Sequence, residues 1–146
     1  METLEQQKID MPKYISKKLV RARPMNELEA VNLGYARPND DHHEWREGYY
    51  VLYPDGYRSW CPKDVFEKSN KKAETAYDLL MIEHDELSER LGKLRKFIHH
   101  NENFKKLPKI EQVFLISQYG AMQAYQGVLL LRIESMSPLE VESKEK

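Results

Sequence analysis

Apolar residues recur at steps of three and four along the second half of this 146-residue chain, and this repeat constrains the fold more than any other feature. Only a histidine interrupts the seam, which consists of Tyr77, Leu80, His84, Leu87, Leu91, Leu94 and Ile98. Side chains at this spacing line one face of an α-helix. The sequence therefore predicts a helix from about residue 73 to residue 98, roughly 39 Å long at 1.5 Å per residue.

A second helix is predicted after a linker over residues 99–107, because Pro108 suits a first helical turn and Ser137-Pro138 can end a helix. Its apolar residues form two stripes. The first stripe contains Ile110, Phe114, Ser117, Ala121, Ala124, Val128 and Leu131; the second stripe contains Leu115, Met122, Tyr125, Leu129 and Met136. An antiparallel partner helix covers only one of them, so the other must face the first half of the chain or another copy. We therefore expect a helical hairpin that forms homo-oligomers.

The first 72 residues differ in composition from the rest of the chain, since they hold six of the nine tyrosines, both tryptophans and five of the seven prolines. Such a composition favours strands and turns. The clearest signal is a β-hairpin, in which residues 48–53 and 57–60 flank the turn Pro54-Asp55-Gly56. A strand over residues 17–23 and a short helix over residues 27–33 are predicted before it.

The predicted fold class is therefore α+β. A small β-hairpin-containing domain occupies residues 1–72, a long antiparallel helical hairpin occupies residues 73–136, and a flexible charged tail occupies residues 137–146.

Charge and composition exclude several classes of protein. With 23 basic and 24 acidic side chains the net charge is −1, so neither bulk nucleic acid nor a membrane surface is an expected partner. No apolar run approaches the roughly 20 residues of a membrane span. The polar segment Met1 to Lys8 lacks an apolar signal core, which predicts a cytoplasmic protein. The single cysteine, Cys61, excludes a disulfide framework and multi-cysteine zinc sites.

Catalytic signatures are missing from the sequence. The six glycines are scattered singly, and no Ser, Cys or Thr lies in a recognisable nucleophile motif. The acidic and histidine-rich segment 40–44 has the residue types of a metal site. Adjacent loop residues rarely converge on one ion, however, so a solvated loop is the preferred interpretation. We expect no enzyme activity, no metal and no cofactor.

The most informative cluster is basic. Between residues 90 and 109 there are seven cations and one acid, Glu102; the cations are Arg90, Lys93, Arg95, Lys96, Lys105, Lys106 and Lys109. Arg90, Lys93 and Lys96 lie on neighbouring turns of one helix face. They form either a solvated tip of the hairpin or a site for a phosphorylated ligand. In the second case Tyr77 or Tyr125 could stack on a nucleobase; otherwise both rings pack in the core.

The second half resembles small phage-encoded helical proteins, among them the anti-CBASS sponges that bind the cyclic oligonucleotide signals of bacterial immunity. The resemblance covers residues 73–136. It rests on residues 84–98 (HDELSERLGKLRKFI) and on the spaced positions Phe104, Leu107, Gln118, Ala121-Met122, Tyr125, Val128-Leu129 and Arg132-Ile133. The first half separately resembles a small domain common in phage genomes, through residues 22–25 and 48–66, for which no activity follows.

The resemblance implies a hexamer that traps cyclic dinucleotides between protomers. A tyrosine early in the first long helix would stack on a base, which matches Tyr77, and a later lysine would hold phosphate, which matches Lys93 or Lys96. A late arginine that contributes to binding cyclic trinucleotides would be Arg132. The expected ligand-binding residues are therefore these four together with Arg90.

The leading hypothesis is a phage anti-defence protein that sequesters cyclic di- or trinucleotides in the host cytoplasm without degrading them. Binding alone lowers the free signal by mass action. The main alternative is a phage assembly or adaptor protein that oligomerises through the helical hairpin and docks a protein partner through its tyrosine-rich β-hairpin. Binding of single-stranded nucleic acid through the same aromatic residues is a third hypothesis, and the balanced charge disfavours it.

Overall fold

A computed structural model describes residues 1, 3–16 and 18–136 of the chain. The fold is α+β, as predicted. The chain divides into two compact units between Asn70 and Lys71. In chain order the elements are α1 (Leu4–Asp10), β1 (Arg21–Pro24), α2 (Glu27–Asn32), β2 (Gly48–Leu52), β3 (Arg58–Pro62), α3 (Lys63–Ser69), α4 (Ala76–His100), α5 (Glu102–Lys105) and α6 (Lys109–Ser135). The predicted tail over residues 137–146 lies outside the described residues.

The first unit is built on a three-stranded antiparallel sheet in the order β1-β2-β3. Its register places Tyr50 opposite both Arg23 and Trp60. The predicted β-hairpin joins β2 to β3. At its tip Gly56 adopts a φ of 91°, and its N–H donates a 2.9 Å hydrogen bond to the carbonyl of Tyr53. Glycine is needed here because other residues adopt a positive φ only at a steric cost.

Tight packing around Trp60 fixes the start of β2. A Cβ at Gly48 would overlap the Trp60 ring and the carbonyl of Cys61. The indole Nε1 donates a 2.7 Å hydrogen bond to the carbonyl of Met25. On α3, Phe66 stacks on Tyr49 with ring centroids 4.4 Å apart. These contacts hold α3 and the segment that leads into α2 against the sheet.

The second unit is the predicted helical hairpin of α4 and α6. α4 begins with a capping box, in which the side chains of Thr75 and Asp78 each accept a hydrogen bond from the other's backbone N–H. The core of the hairpin consists of Leu80, Leu87 and Leu129, with Met122, Ile133 and Met136 packed against it. Five of these six residues lie on the predicted seam or on the second stripe. The second stripe therefore packs against α4.

The connection between the long helices differs from the predicted linker. α4 continues to His100, and residues Glu102–Lys105 form the short helix α5, with Asn101 accepting a hydrogen bond from the N–H of Asn103. Phe104 is buried edge-on against Phe97, with centroids 5.9 Å apart. One aromatic contact and a side-chain cap thus order a segment whose composition indicates only a loop.

Other elements also differ from the predicted bounds. Pro108 precedes α6 as its N-cap and does not occupy the first turn. β1 begins at Arg21, four residues after the predicted strand start. The sequence pattern does not predict α1, which Thr3 caps and which buries no residue. Among the described helices, none combines the length and the apolar character needed to cross a bilayer.

Leu129 is fully buried in the hairpin core, so truncating it should destabilise the second unit. We expect Leu129→Ala to lower the free energy of unfolding by about 2–5 kcal/mol, because the cavity adds to the lost transfer free energy. Urea denaturation followed by helical circular dichroism measures this change. Leu130→Ala is the matched control, since Leu130 is 46% exposed and its truncation should cost much less. Equal losses for the two variants would contradict the packing described here.

Candidate functional site

The basic face of α4 borders an open cleft between α4 and α6. The cleft has a volume of about 450 Å³. It is lined by Leu87, Arg90, Lys93 and Leu94 from α4 and by Gln118, Met122 and Tyr125 from α6. Residues three and four apart on a helix are surface neighbours, so each helix contributes one continuous wall.

The cleft combines an apolar floor with a cationic rim. Leu87 is almost completely buried, whereas Arg90 and Lys93 are exposed. Tyr125 is 43% exposed, so a large part of its ring is open to solvent. An apolar surface next to fixed positive charge suits a ligand that has both a flat ring and an anionic group.

The two cations differ in how they are held. Within the described residues, Arg90 takes part in no ion pair. The Nζ atom of Lys93 lies 3.1 Å from Oε1 of Glu89, and both side chains are mostly exposed. An exposed pair of this kind contributes at most about 1 kcal/mol. An incoming anion can therefore compete with Glu89 for Lys93.

A direct contact between the helices fixes the two walls. Gln126 Nε2 donates a 2.9 Å hydrogen bond to Ser88 Oγ, next to the cleft residues on both helices. The buried leucines Leu80, Leu87 and Leu129 also hold the two helices together. The cleft is therefore present before any ligand binds.

The structure brings together two of the five predicted ligand-binding residues, Arg90 and Lys93. The ring beside them belongs to Tyr125 and not to Tyr77, which lies 16 residues before Lys93 on α4, about 24 Å along the axis. Lys96 is exposed one turn beyond Lys93 and does not line the cleft. Arg132 lies in the last turn of α6, also outside it.

Four lining residues were not assigned to a site from the sequence, namely Leu87, Leu94, Gln118 and Met122. Gln118, Met122 and Tyr125 follow one another at steps of four and three along α6, which is the spacing of any continuous helix face. Periodicity places them on that face, but it does not tell whether the face lines a cleft or packs in the core. Only the packing of α6 against α4 distinguishes the two.

A second charged cluster lies in the first unit and is already neutralised. The Glu27 carboxylate, whose side chain is only 4% exposed, accepts hydrogen bonds from Arg46 Nη2 at 2.6 Å and from His43 Nε2 at 2.7 Å. The Arg46 guanidinium, helped by His43, lowers the pKa of Glu27 to about 2 against the opposing effect of burial. His43 also contacts Asp41, and these two carboxylates raise the pKa of His43.

This cluster holds the loop after α2 in place. A hollow of about 340 Å³ adjoins it, but Glu27 already neutralises Arg46 there, so the hollow is less suited to an anion than the cleft. His43 belongs to the segment of residues 40–44 that has metal-type ligands, and it is engaged by Glu27 and Asp41. Among the described residues, no group of three or more such side chains is placed to hold a metal ion.

Comparison with known proteins bears on the second unit. Residues 74–135 match a family model described as Sequestin. The matched segment contains every residue that lines the cleft. Neither the curated proteins nor the solved structures provided a match to the chain.

The Glu27 cluster predicts how the stability of the first unit depends on pH. Because the pKa of Glu27 falls from 4.5 to about 2 in the folded state, its stabilisation is complete above pH 4.5 and is lost as the pH falls towards 2. The raised pKa of His43 acts in the other direction. Its stabilisation is complete below pH 6.5 and is lost as the pH rises through the raised pKa. Stability should therefore be greatest between pH 4.5 and pH 6.5.

Denaturation followed by tryptophan fluorescence checks this dependence, because both tryptophans belong to the first unit. Glu27→Gln should lower the free energy of unfolding within that window and remove most of its decline in acid. Glu29→Gln is the control, since Glu29 is exposed on the same helix. If Glu27→Gln kept the full acid dependence, the cluster would not be its source.

Proposed function

We propose that the helical hairpin binds a small phosphorylated ligand in the cleft between α4 and α6 and keeps it from its receptor. The observation that carries this proposal is the placement of Arg90 and Lys93 beside the open ring of Tyr125, over an apolar floor. The proposed ligands are cyclic di- or trinucleotides, and the proposed role is that of a phage anti-defence protein in the host cytoplasm.

The chemistry of the cleft fits a nucleotide in three respects. Arginine and lysine bind phosphate oxygens through charge-assisted hydrogen bonds. An exposed tyrosine ring stacks on a base, a contact worth about 1–3 kcal/mol. The volume, about 450 Å³, lies within the range of small-molecule sites.

Binding without turnover is part of the proposal. The seven lining residues include no carboxylate and no imidazole that could take a proton, and no serine or cysteine nucleophile. An abundant binder lowers the free concentration of a signal by mass action alone. The match of residues 74–135 to a family named Sequestin supports the same role, because the name suggests sequestration.

Tyr77 and Arg132 would contact the ligand only in an oligomer. Neither residue lines the cleft that Arg90 and Lys93 border in the same chain. The resemblance to the sponges implies binding between protomers, in a hexamer. In such an assembly these two residues would come from a neighbouring copy.

Direct binding tests the proposal. The purified full chain is titrated with a panel of cyclic di- and trinucleotides, each mixture is followed by calorimetry, and the bound material is then extracted with denaturant and analysed by mass spectrometry. We expect saturable binding of at least one cyclic nucleotide and its recovery intact. Failure of the whole panel to bind would overturn the assigned ligand class, and recovery of cleaved nucleotide would overturn sequestration.

Substitutions at the rim locate the site. Arg90→Ala and Lys93→Ala should each weaken binding about tenfold or more, since hydrogen bonds to charged groups contribute about 1.5–3 kcal/mol. Tyr125→Leu should weaken binding through lost stacking while preserving helix packing. Lys106→Ala is the matched control, because Lys106 is an exposed cation of the same basic stretch outside the cleft. Equal weakening by Lys106→Ala would indicate attraction by net charge and not a built site.

An assembly or adaptor role is the second candidate function. The observation that favours it is the exposure of the first stripe of α6, where Phe114 is 58% and Leu131 is 66% exposed. Exposed apolar stripes on helices mark protein contacts. Oligomerisation without affinity for any nucleotide in the panel would favour this role over sequestration.

A further inference from the structure

The three strands of the first unit carry three arginines and no acidic residue. The arginines are Arg21 and Arg23 of β1 and Arg58 of β3, and all three are exposed. Across the sheet, Arg21 and Arg58 lie opposite Leu52, while Arg23 lies opposite Tyr50. Residues opposite each other share a face of a sheet, and so do residues two apart on one strand. One face, the arginine face, therefore carries all three guanidinium groups.

Tyrosine side chains, and not carboxylates, contact two of these arginines. The Arg23 guanidinium lies over the ring of Tyr50, with its Cζ 5.3 Å from the ring centroid. Tyr35 packs against Tyr50 with centroids 5.2 Å apart, and its hydroxyl accepts a 3.4 Å hydrogen bond from Arg58 Nη1. Among the described residues, no ion pair involves Arg21, Arg23 or Arg58. A guanidinium has five N–H donors, so most donors on this face are left for an outside partner.

The balanced charge of the whole chain does not describe the arginine face. The described acidic residues of the first unit all lie outside the strands, in helices or loops. Exposed charges interact over about 8 Å at physiological ionic strength, so the local charges decide which partner is attracted. The arginine face is therefore complementary to an anion, although the net charge of the chain is −1.

Guanidinium groups interleaved with aromatic rings favour one kind of anionic partner. An acidic peptide uses only the charges, whereas the bases of a nucleic acid also stack on aromatic rings and on guanidinium planes. Arginine binds phosphate with two parallel hydrogen bonds. A duplex keeps its bases stacked inside, and its major groove admits a helix or a two-stranded ribbon but not the face of a three-stranded sheet. The arginine face therefore fits a single strand with unstacked bases.

We propose that the arginine face binds single-stranded nucleic acid, with the three arginines on backbone phosphates and a base against the guanidinium of Arg23, which Tyr50 supports. The hypothesis drawn from the sequence relied on the aromatic residues of the β-hairpin alone. One of these, Tyr49, lies on the other face, where it packs against Phe66 of α3. The arginines of β1 supply the charge that the hairpin lacks. This site belongs to a different unit from the cleft and stands independently of the proposed function.

Fluorescence anisotropy on the full chain tests the proposal. The probes are labelled oligothymidylate and oligouridylate of about ten nucleotides, within the site sizes of single-strand binders. We expect saturable binding of at least one probe. Three phosphate contacts predict a slope of about −2 for the logarithm of the binding constant against the logarithm of the salt concentration. The same strand in a duplex, and polyglutamate, should bind about tenfold more weakly or less, because neither offers bases to stack.

Substitutions on the arginine face locate the site. Arg21→Ala and Arg58→Ala should each weaken binding about tenfold and reduce the size of the salt slope by about 0.7, since each removes one phosphate contact. Arg23→Lys should weaken binding without changing the slope, because lysine keeps the charge but has no plane for a base. Lys68→Ala is the matched control and should change neither quantity, because Lys68 is an exposed cation of α3, which packs on the other face.

Several results would overturn the proposal. Failure of both probes to bind at low salt, or equal binding of duplex or polyglutamate, would exclude a single-strand site. Equal losses for Lys68→Ala and Arg21→Ala would indicate attraction by net charge. A similar loss for Arg90→Ala would place the oligonucleotide in the cleft of the second unit. Arg21→Ala should leave cyclic-nucleotide binding unchanged, so the two sites are tested separately. Circular dichroism of every variant checks that the fold is retained.

Discussion

The packing of Leu80 and Leu87 of α4 against Leu129 of α6 determines most of what the second unit presents to its surroundings. Two helices joined by a short connection can bury only the faces that they turn towards each other. This contact therefore fixes the rotation of both helices. It turns the first stripe of α6 outward, and it sets Arg90 and Lys93 across from Tyr125 at the edge of the same interface. The cleft and the exposed stripe are two consequences of one packing arrangement.

Segments with a regular apolar repeat or with well-defined turn residues could be predicted from the sequence. The α4 seam and the turn around Gly56 are examples, because each is encoded by local chemistry that tertiary contacts do not override. The short helix α5 could not be predicted, because it depends on the burial of Phe104 against Phe97. These two residues come into contact only because the chain turns back at the end of α4. The Glu27 cluster was missed for a similar reason, because Glu27 and Arg46 are 19 residues apart and on different segments.

The candidate site, too, could be predicted only in part, where local sequence alone decides the arrangement. Arg90 and Lys93 could be identified because residues three apart on one helix share a face. The aromatic partner could not be chosen, because Tyr77 and Tyr125 both lie at helical spacing and only the packing of α6 on α4 places a ring across from the cations. Tyr125 fills this position. Lys96, Tyr77 and Arg132, which the resemblance or the basic run indicated, do not line the cleft of a single chain.

Uptake of a phosphorylated nucleotide by the cleft between α4 and α6 is tested most directly by a two-dimensional amide NMR titration. The full chain is titrated with the cyclic nucleotide that binds most tightly. We expect the shift changes to cluster at residues 87–94 of α4 and 118–125 of α6, the two walls of the cleft. Changes concentrated in the first unit, or spread evenly over all exposed lysines and arginines, would contradict binding in the cleft.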